Sequence, residues 1–234
     1  VKALLVDERQ TVLAETDVAL PISRPHPLWS EQDPEDWWRA TESALAALKA
    51  AAPAAYAATT AIGLSGQMHG AVLMDKADRV LRPAILWNDG RSHAECAALE
   101  HRIPDLGRIA GVPAMPGFTA PKLLWVARHE PELFADVAHV LLPKDYVRFR
   151  LTGAYVSEMS DAAGTLWLDE AERRWSPEIV AAPGLDPAVM PRLVEGSAAA
   201  GTLSPAAATA LGLNARVIVA GGADMVSVYI RSSL

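Results

Sequence analysis

The sequence predicts an α/β fold, because apolar runs of strand length alternate with helical stretches from one end of the chain to the other. Three short, glycine-bounded polar clusters each follow an apolar run, which is where α/β sheets present ligand-binding loops. No internal repeat and no Gly/Ser-rich linker divides the 234 residues, so one continuous domain is expected.

Residues 2–6 and 11–14 read as two strands of a meander around a polar corner at 7–10. Pro21, Pro25 and Pro27 then suit an irregular surface connection, since proline fixes φ and lacks an N–H. A helix opens at Asp33 and Pro34, a capping residue followed by proline at the first helical position. Trp37, Thr41, Ala44, Leu45 and Leu48 recur at three- and four-residue steps and form one apolar stripe, which Pro53 is expected to end. Residues 59–65 read as a buried strand running into Gly66-Gln67-Met68-His69-Gly70. Residues 71–74 and 79–81 flank an Asp/Lys/Asp corner, a hairpin signal. A short strand over 84–87 precedes Asn88-Asp89-Gly90-Arg91. Helices are predicted over 92–102, 119–128 and 144–151, with Gly153 as a terminator and a strand over 137–142. Residues 160–168 read as extended. A short helix over 206–211 and an apolar strand over 216–220 lead into Gly221-Gly222-Ala223-Asp224.

Composition narrows the function classes. The chain is 51% hydrophobic and 21% charged, a globular balance that argues against disorder. Its length buries a core without staples, and the single cysteine, Cys96, excludes an internal disulfide framework, so a cytoplasmic setting is the default expectation. A formal charge of −7 is the wrong sign for a nucleic-acid surface. No apolar run reaches the roughly 20 residues of a membrane span, and the first residues lack a signal-peptide layout.

The three clusters are where chemistry is expected. An ordinary turn explains any one of them alone; together they suggest a site. Asp224, at the end of a strand, suits a general base, with an N-cap as the plainer alternative. His69 sits between flexible residues, where a neutral imidazole offers one donor and one acceptor to a hydroxyl-rich ligand. His129 and His139 read as solvated, and no histidine pair has zinc-ligand spacing, so no metal site made of protein side chains is expected. Gly63-Leu64-Ser65-Gly66 lacks the second glycine of a nucleophile elbow, and no phosphate-binding Gly-x-x-x-x-Gly-Lys-Ser/Thr loop is found. From the residues alone, the reading is an α/β domain with a polar site for a small molecule.

Longer runs around these clusters carry more. They are Ser23-Arg24-Pro25-His26-Pro27-Leu28-Trp29-Ser30-Glu31-Gln32-Asp33-Pro34, Gly66-Gln67-Met68-His69-Gly70, Leu81-Arg82-Pro83-Ala84-Ile85-Leu86-Trp87-Asn88-Asp89-Gly90-Arg91 and Met115-Pro116-Gly117-Phe118-Thr119-Ala120-Pro121-Lys122-Leu123-Leu124-Trp125. Leu142-Pro143-Lys144-Asp145-Tyr146 and Ser160-Asp161-Ala162-Ala163-Gly164-Thr165 continue the match. Over residues 1–224 the chain resembles the FGGY family of carbohydrate kinases, and within it the xylulokinase branch. The family signature falls on residues 117–129, with its lysine and tryptophan at Lys122 and Trp125. The resemblance implies a ribonuclease-H-like (actin/hexokinase-type) domain, with sugar held in a cleft against a second domain. It implies transfer of a phosphoryl group from ATP, with Mg²⁺, to D-xylulose. Met68 and His69 match the sugar-contacting pair, Asp224 matches the catalytic aspartate, and Trp87, Asn88, Asp89 and Arg91 would line the sugar side. Self-association, as a homodimer, is expected of the apolar face that would meet the second domain.

Two departures accompany it. Val1 and Lys2 stand just after the position of the family's Gly-x-Asp-x-Gly-Thr phosphate loop, and residues 225–234 diverge from the family pattern. The expectation is therefore a sugar-binding domain over 1–224 without its first strand, phosphate loop or ATPase partner, catalytically silent by itself. A non-catalytic remnant and another FGGY kinase (for ribulose, gluconate or glycerol) are the alternatives. Gln67-Met68-His69 favours xylulose, because the glycerol enzymes carry an Arg-Glu pair there.

Overall fold

The computed structural model describes residues 1–224 and 228–232, the last two segments of which (223–224 and 228–232) are described by backbone alone. Of the divergent tail, residues 225–227 and 233–234 lie outside the described residues. A six-stranded mixed sheet runs in the spatial order Ala199–Thr202, Ile218–Ala220, Thr59–Gly63, Val228–Ser232, Lys2–Val6 and Val12–Asp17. The meander is present: Lys2–Val6 pairs antiparallel with Val12–Asp17. Thr59–Gly63 pairs parallel with Ile218–Ala220, as strands joined through helices do.

Helix Pro34–Ala51 covers this sheet. Asp33 caps it, its side chain accepting from the Glu35 N–H at 2.9 Å, and Pro34 occupies the first turn, where its missing N–H costs nothing. The predicted stripe is the buried face: Trp37, Thr41, Ala44, Leu45 and Leu48 all pack inward with Leu5, Tyr56 and Ile62. A second apolar cluster gathers Leu99, Ile103, Leu123, Val126, Trp167 and Ile179.

One expectation is extended and three need correction. Pro53 ends one helix but also opens another, Pro53–Ala57, because proline suits the first position of a helix as well as the residue after one. The corner at Asp75 is tight, its side chain accepting from the Ala77 and Arg79 N–H groups, yet Val72–Met74 takes His139–Leu141 as its ladder partner and leaves Val80 a single bridge. Residues 160–168 are not extended throughout: Met159–Ala163 is a helix turn capped by Glu158, whose carboxylate accepts from the Ser160 and Asp161 N–H groups. Glutamate is an unusual cap, which hides this turn from pattern reading. His139 is half-buried rather than solvated, stacked 3.8 Å from the Tyr155 ring, and burial holds its pKa below the usual histidine value.

Candidate functional site

The strand over 59–65 breaks at Leu64. Thr59–Gly63 stays in the main sheet, while Ser65–Gly66 leaves it to pair, in parallel, with Ala223–Asp224. The register sets Ala223 beside Ser65 and Asp224 beside Gly66. Two clusters far apart in sequence are thereby joined through their backbones, with Gln67, Met68 and His69 immediately downstream. The Asp224 side chain lies outside the described residues, and its backbone continues the strand Ala223–Asp224.

The turn before Asp224 is held from several sides. Gly222 has φ 93°, open to glycine and strained for other residues, and a Cβ there would collide with the Leu64 carbonyl. Beneath it, Arg148 donates to the Gly221 carbonyl and, at 2.7 Å, to the Val156 carbonyl, while pairing with Asp145 at 3.0 Å. Asp145 also meets Lys144 at 2.9 Å, and Lys144 reaches Asp161 at 2.7 Å and Glu158 at 3.3 Å. All five side chains are buried. Burial opposes the Lys144 charge, but Asp145 and Asp161 outweigh it and hold the ammonium above the ordinary lysine value.

His69 stands in the left-handed region at φ 61°, where a non-glycine residue needs support from its surroundings. Its ring meets Phe118 edge-on, with centroids 4.7 Å apart, and lies against Gly164, where an added Cβ would collide with Nε2. Its carbonyl accepts from Lys122 Nζ at 2.7 Å and from Thr119 Oγ1 at 3.2 Å. Burial, reinforced by the Lys122 charge and opposed by a hydrogen bond to Gly117, lowers the His69 pKa to about 4. The imidazole is therefore neutral at pH 7 and presents one donor and one acceptor.

That shift carries a stability prediction. Between pH 6.5 and 4 the unfolded chain binds the proton that the folded ring refuses, so this contribution is complete above pH 6.5 and disappears on acidification toward 4. Urea unfolding at pH 7 and pH 4.5 is expected to show a larger drop for the wild type than for His69→Gln. Equal drops would mean that the ring titrates freely.

Of the middle cluster, Trp87 is half exposed and Asn88 exposed, the latter on the wall of an open cavity of about 540 Å³ shared with Arg24, His26 and Trp29. Asp89 and Arg91 point the other way, into the protein. Asp89 accepts from the Ser30 N–H at 2.6 Å and from Arg91 Nε at 2.9 Å. Arg91 lies 3.6 Å over the Trp29 ring and pairs with Glu31 at 2.8 Å, and Glu31 in turn meets Arg82. This pair fixes the loop on which Trp87 and Asn88 are displayed. Met68 is half-buried at the turn, its carbonyl accepting from the Gly70 N–H at 2.7 Å. A second cavity, about 400 Å³, runs along Ser65, Gly66 and Gln67 toward Lys144 and Trp37. Sequence reasoning assigned no role to the Glu31–Arg82 pair or the Lys144–Arg148–Asp161 cluster. Their visible signal is charge inside apolar stretches, which does not say which partner answers it.

The family model for the N-terminal domain of FGGY carbohydrate kinases matches residues 1–229. The chain belongs to the FGGY family of carbohydrate kinases. It is 54% identical to a xylulose kinase of Escherichia coli over 96% of its own length and 46% of that protein's, and 44% identical to one of Bacillus subtilis over 96% and 45%. The crystal structure of a xyloylose kinase from Brucella ovis superposes with a TM-score of 0.93 at 56% identity, covering 95% of this chain and 46% of the other. That of a xylulose kinase from Rhodospirillum rubrum gives 0.89 at 29%, covering 95% and 49%. The chain spans about half the length of the curated relatives it matches. The FGGY fold, actin/hexokinase-like and mixed α/β, agrees with the sheet and flanking helices described above. Among the described residues of this FGGY chain, no helix is long and apolar enough to cross a membrane.

Proposed function

We propose that this FGGY chain is the sugar-recognising domain, over residues 1–224, of a kinase that phosphorylates D-xylulose at the expense of ATP in the cytoplasm. The observation that carries the reading is the parallel register of Ala223–Asp224 on Ser65–Gly66, which sets Asp224 beside the turn bearing Met68 and His69. The names of the relatives, xylulose kinases at 54% and 44% identity, supply the sugar.

In this reading Met68, the neutral His69, Trp87 and Asn88 orient the ketose, and Asp89 with Arg91 stiffens the loop beneath them. The oxygen of the terminal hydroxyl attacks the γ-phosphorus of ATP, the bond from that phosphorus to the β,γ-bridging oxygen breaks, and ADP leaves. The hydroxyl proton passes to the Asp224 carboxylate, and the product is D-xylulose 5-phosphate. Such transfers rest mainly on positioning and charge stabilisation. Among the described residues no group of three or more His, Cys, Asp or Glu side chains could hold a metal ion, so no residue here is assigned to Mg²⁺ and no step runs through it.

The test is a coupled ADP-release assay on the full-length enzyme containing this segment, with D-xylulose, ribulose, gluconate and glycerol compared at equal concentration. A kcat/KM for D-xylulose at least about tenfold above the others is expected, since a site built to bond one hydroxyl pattern leaves its own groups unpaired with another. Faster turnover of glycerol or gluconate would overturn the assignment.

A further inference from the structure

The signature lysine has no part in the proton transfer above, and its surroundings suggest what it does. Lys122 is fully buried in the helix Thr119–His129, in a run where residues 119–126 are all buried. Among the described residues no carboxylate lies within 4.0 Å of its ammonium. Nζ instead donates to two carbonyls, His69 O and Gly117 O, each at 2.7 Å. A buried cation on neutral acceptors is costly to maintain, and an apolar side chain would fill the same core position at lower cost.

The two carbonyls belong to the two loops that matter. One is that of His69, the residue held at φ 61°. The other belongs to Gly117, pressed so close to the Trp87 backbone that a Cβ on Gly117 would lie 2.7 Å from the Trp87 carbonyl oxygen. We infer that Lys122 is a positioning residue: it ties the His69 turn to the Gly117–Trp87 contact and so sets the spacing between the imidazole and the indole without touching the sugar. Thr119 Oγ1, at 3.2 Å from the same His69 carbonyl, is the weaker second tie, and Gly164 closes the far side of the ring. Burial, aided by Arg91 and outweighing the support of Asp89, lowers the Lys122 pKa to about 7, while the His69 ring beside it is neutral at pH 7.

The inference rests on the sugar-site reading for its effect on activity, but its structural half can be tested separately. In the full-length enzyme, Lys122→Met is expected to raise the KM for D-xylulose about tenfold or more, because small displacements of orienting groups are expensive, while the KM for ATP stays within about twofold. Thr119→Val should move the sugar KM far less. If Lys122→Met does not fold, Gly117→Ala replaces it, since that change pushes the two loops apart with the ammonium intact, and the same sugar-specific rise is expected. On the present chain, without any sugar, the His69 ring resonances are expected to form one set in the wild type and to double or broaden in the variant. An unchanged sugar KM, an equal rise for sugar and ATP, or an unaltered His69 ring spectrum would each overturn the clamp. A wild type that does not use D-xylulose would overturn the functional reading instead, leaving the ring spectrum to decide the clamp.

Discussion

Asp224→Ala in the full-length enzyme is expected to lower kcat by roughly 10²–10⁴-fold, the range that a positioned general base supplies, while D-xylulose affinity stays within several-fold. The expectation follows from the backbone. Asp224 is set beside Gly66 by strand pairing, and the turn leading to it is held by the Gly222 conformation and the Arg148 bond to the Gly221 carbonyl. A general base acts on the transition state more than on the ground state, so in this reading kcat should fall and binding should not. Asp224→Asn keeps the shape and removes the base, and it should lose nearly as much. The measurement is steady-state turnover beside a calorimetric titration of D-xylulose. Turnover near the wild-type rate in either variant would remove Asp224 from the proton transfer.

Much of this arrangement was legible in the sequence because it is local. Asp33 and Pro34 start a helix by capping and by proline's tolerance for the first turn, and the stripe from Trp37 to Leu48 faces the core by its period alone. The glycine-bounded clusters marked strand ends for a similar reason, and two of the three meet in the structure. What was hidden is non-local. Nothing near Asp89 or Arg91 in sequence says that their side chains turn inward to Ser30, Glu31 and Trp29 rather than outward to a ligand, because those partners lie about 60 residues away. Val72–Met74 followed the hairpin signal into its turn and then took a partner from beyond residue 138, since strand pairing is decided by which faces the core can bury. The cap supplied by Glu158 escaped notice because its carboxylate belongs at once to a helix start and to the Lys144 cluster.

That cluster yields the largest stability effect. Arg148 is fully buried, and its guanidinium serves Asp145, Val156 and Gly221 together. Arg148→Met keeps much of the apolar volume but leaves the Asp145 charge with Lys144 alone and two carbonyls without a donor. Breaking a buried pair from one side costs about 3–5 kcal/mol, against a total stability of roughly 5–15 kcal/mol for a domain. The expected result in urea is a midpoint shifted far down with the slope preserved. Arg108→Met serves as the control: Arg108 and Asp105 are mostly exposed at 2.7 Å separation, and such surface pairs contribute about 0–1 kcal/mol. Because Arg148 also holds the Gly221 carbonyl, the kcat of whatever folded fraction remains should fall as well, with the sugar KM little changed, since His69 and Lys122 belong to a different set of contacts. A stability loss below about 1 kcal/mol would show that water or Lys144 takes over the two carbonyls and the Asp145 charge, and that the turn before Asp224 stands without the arginine.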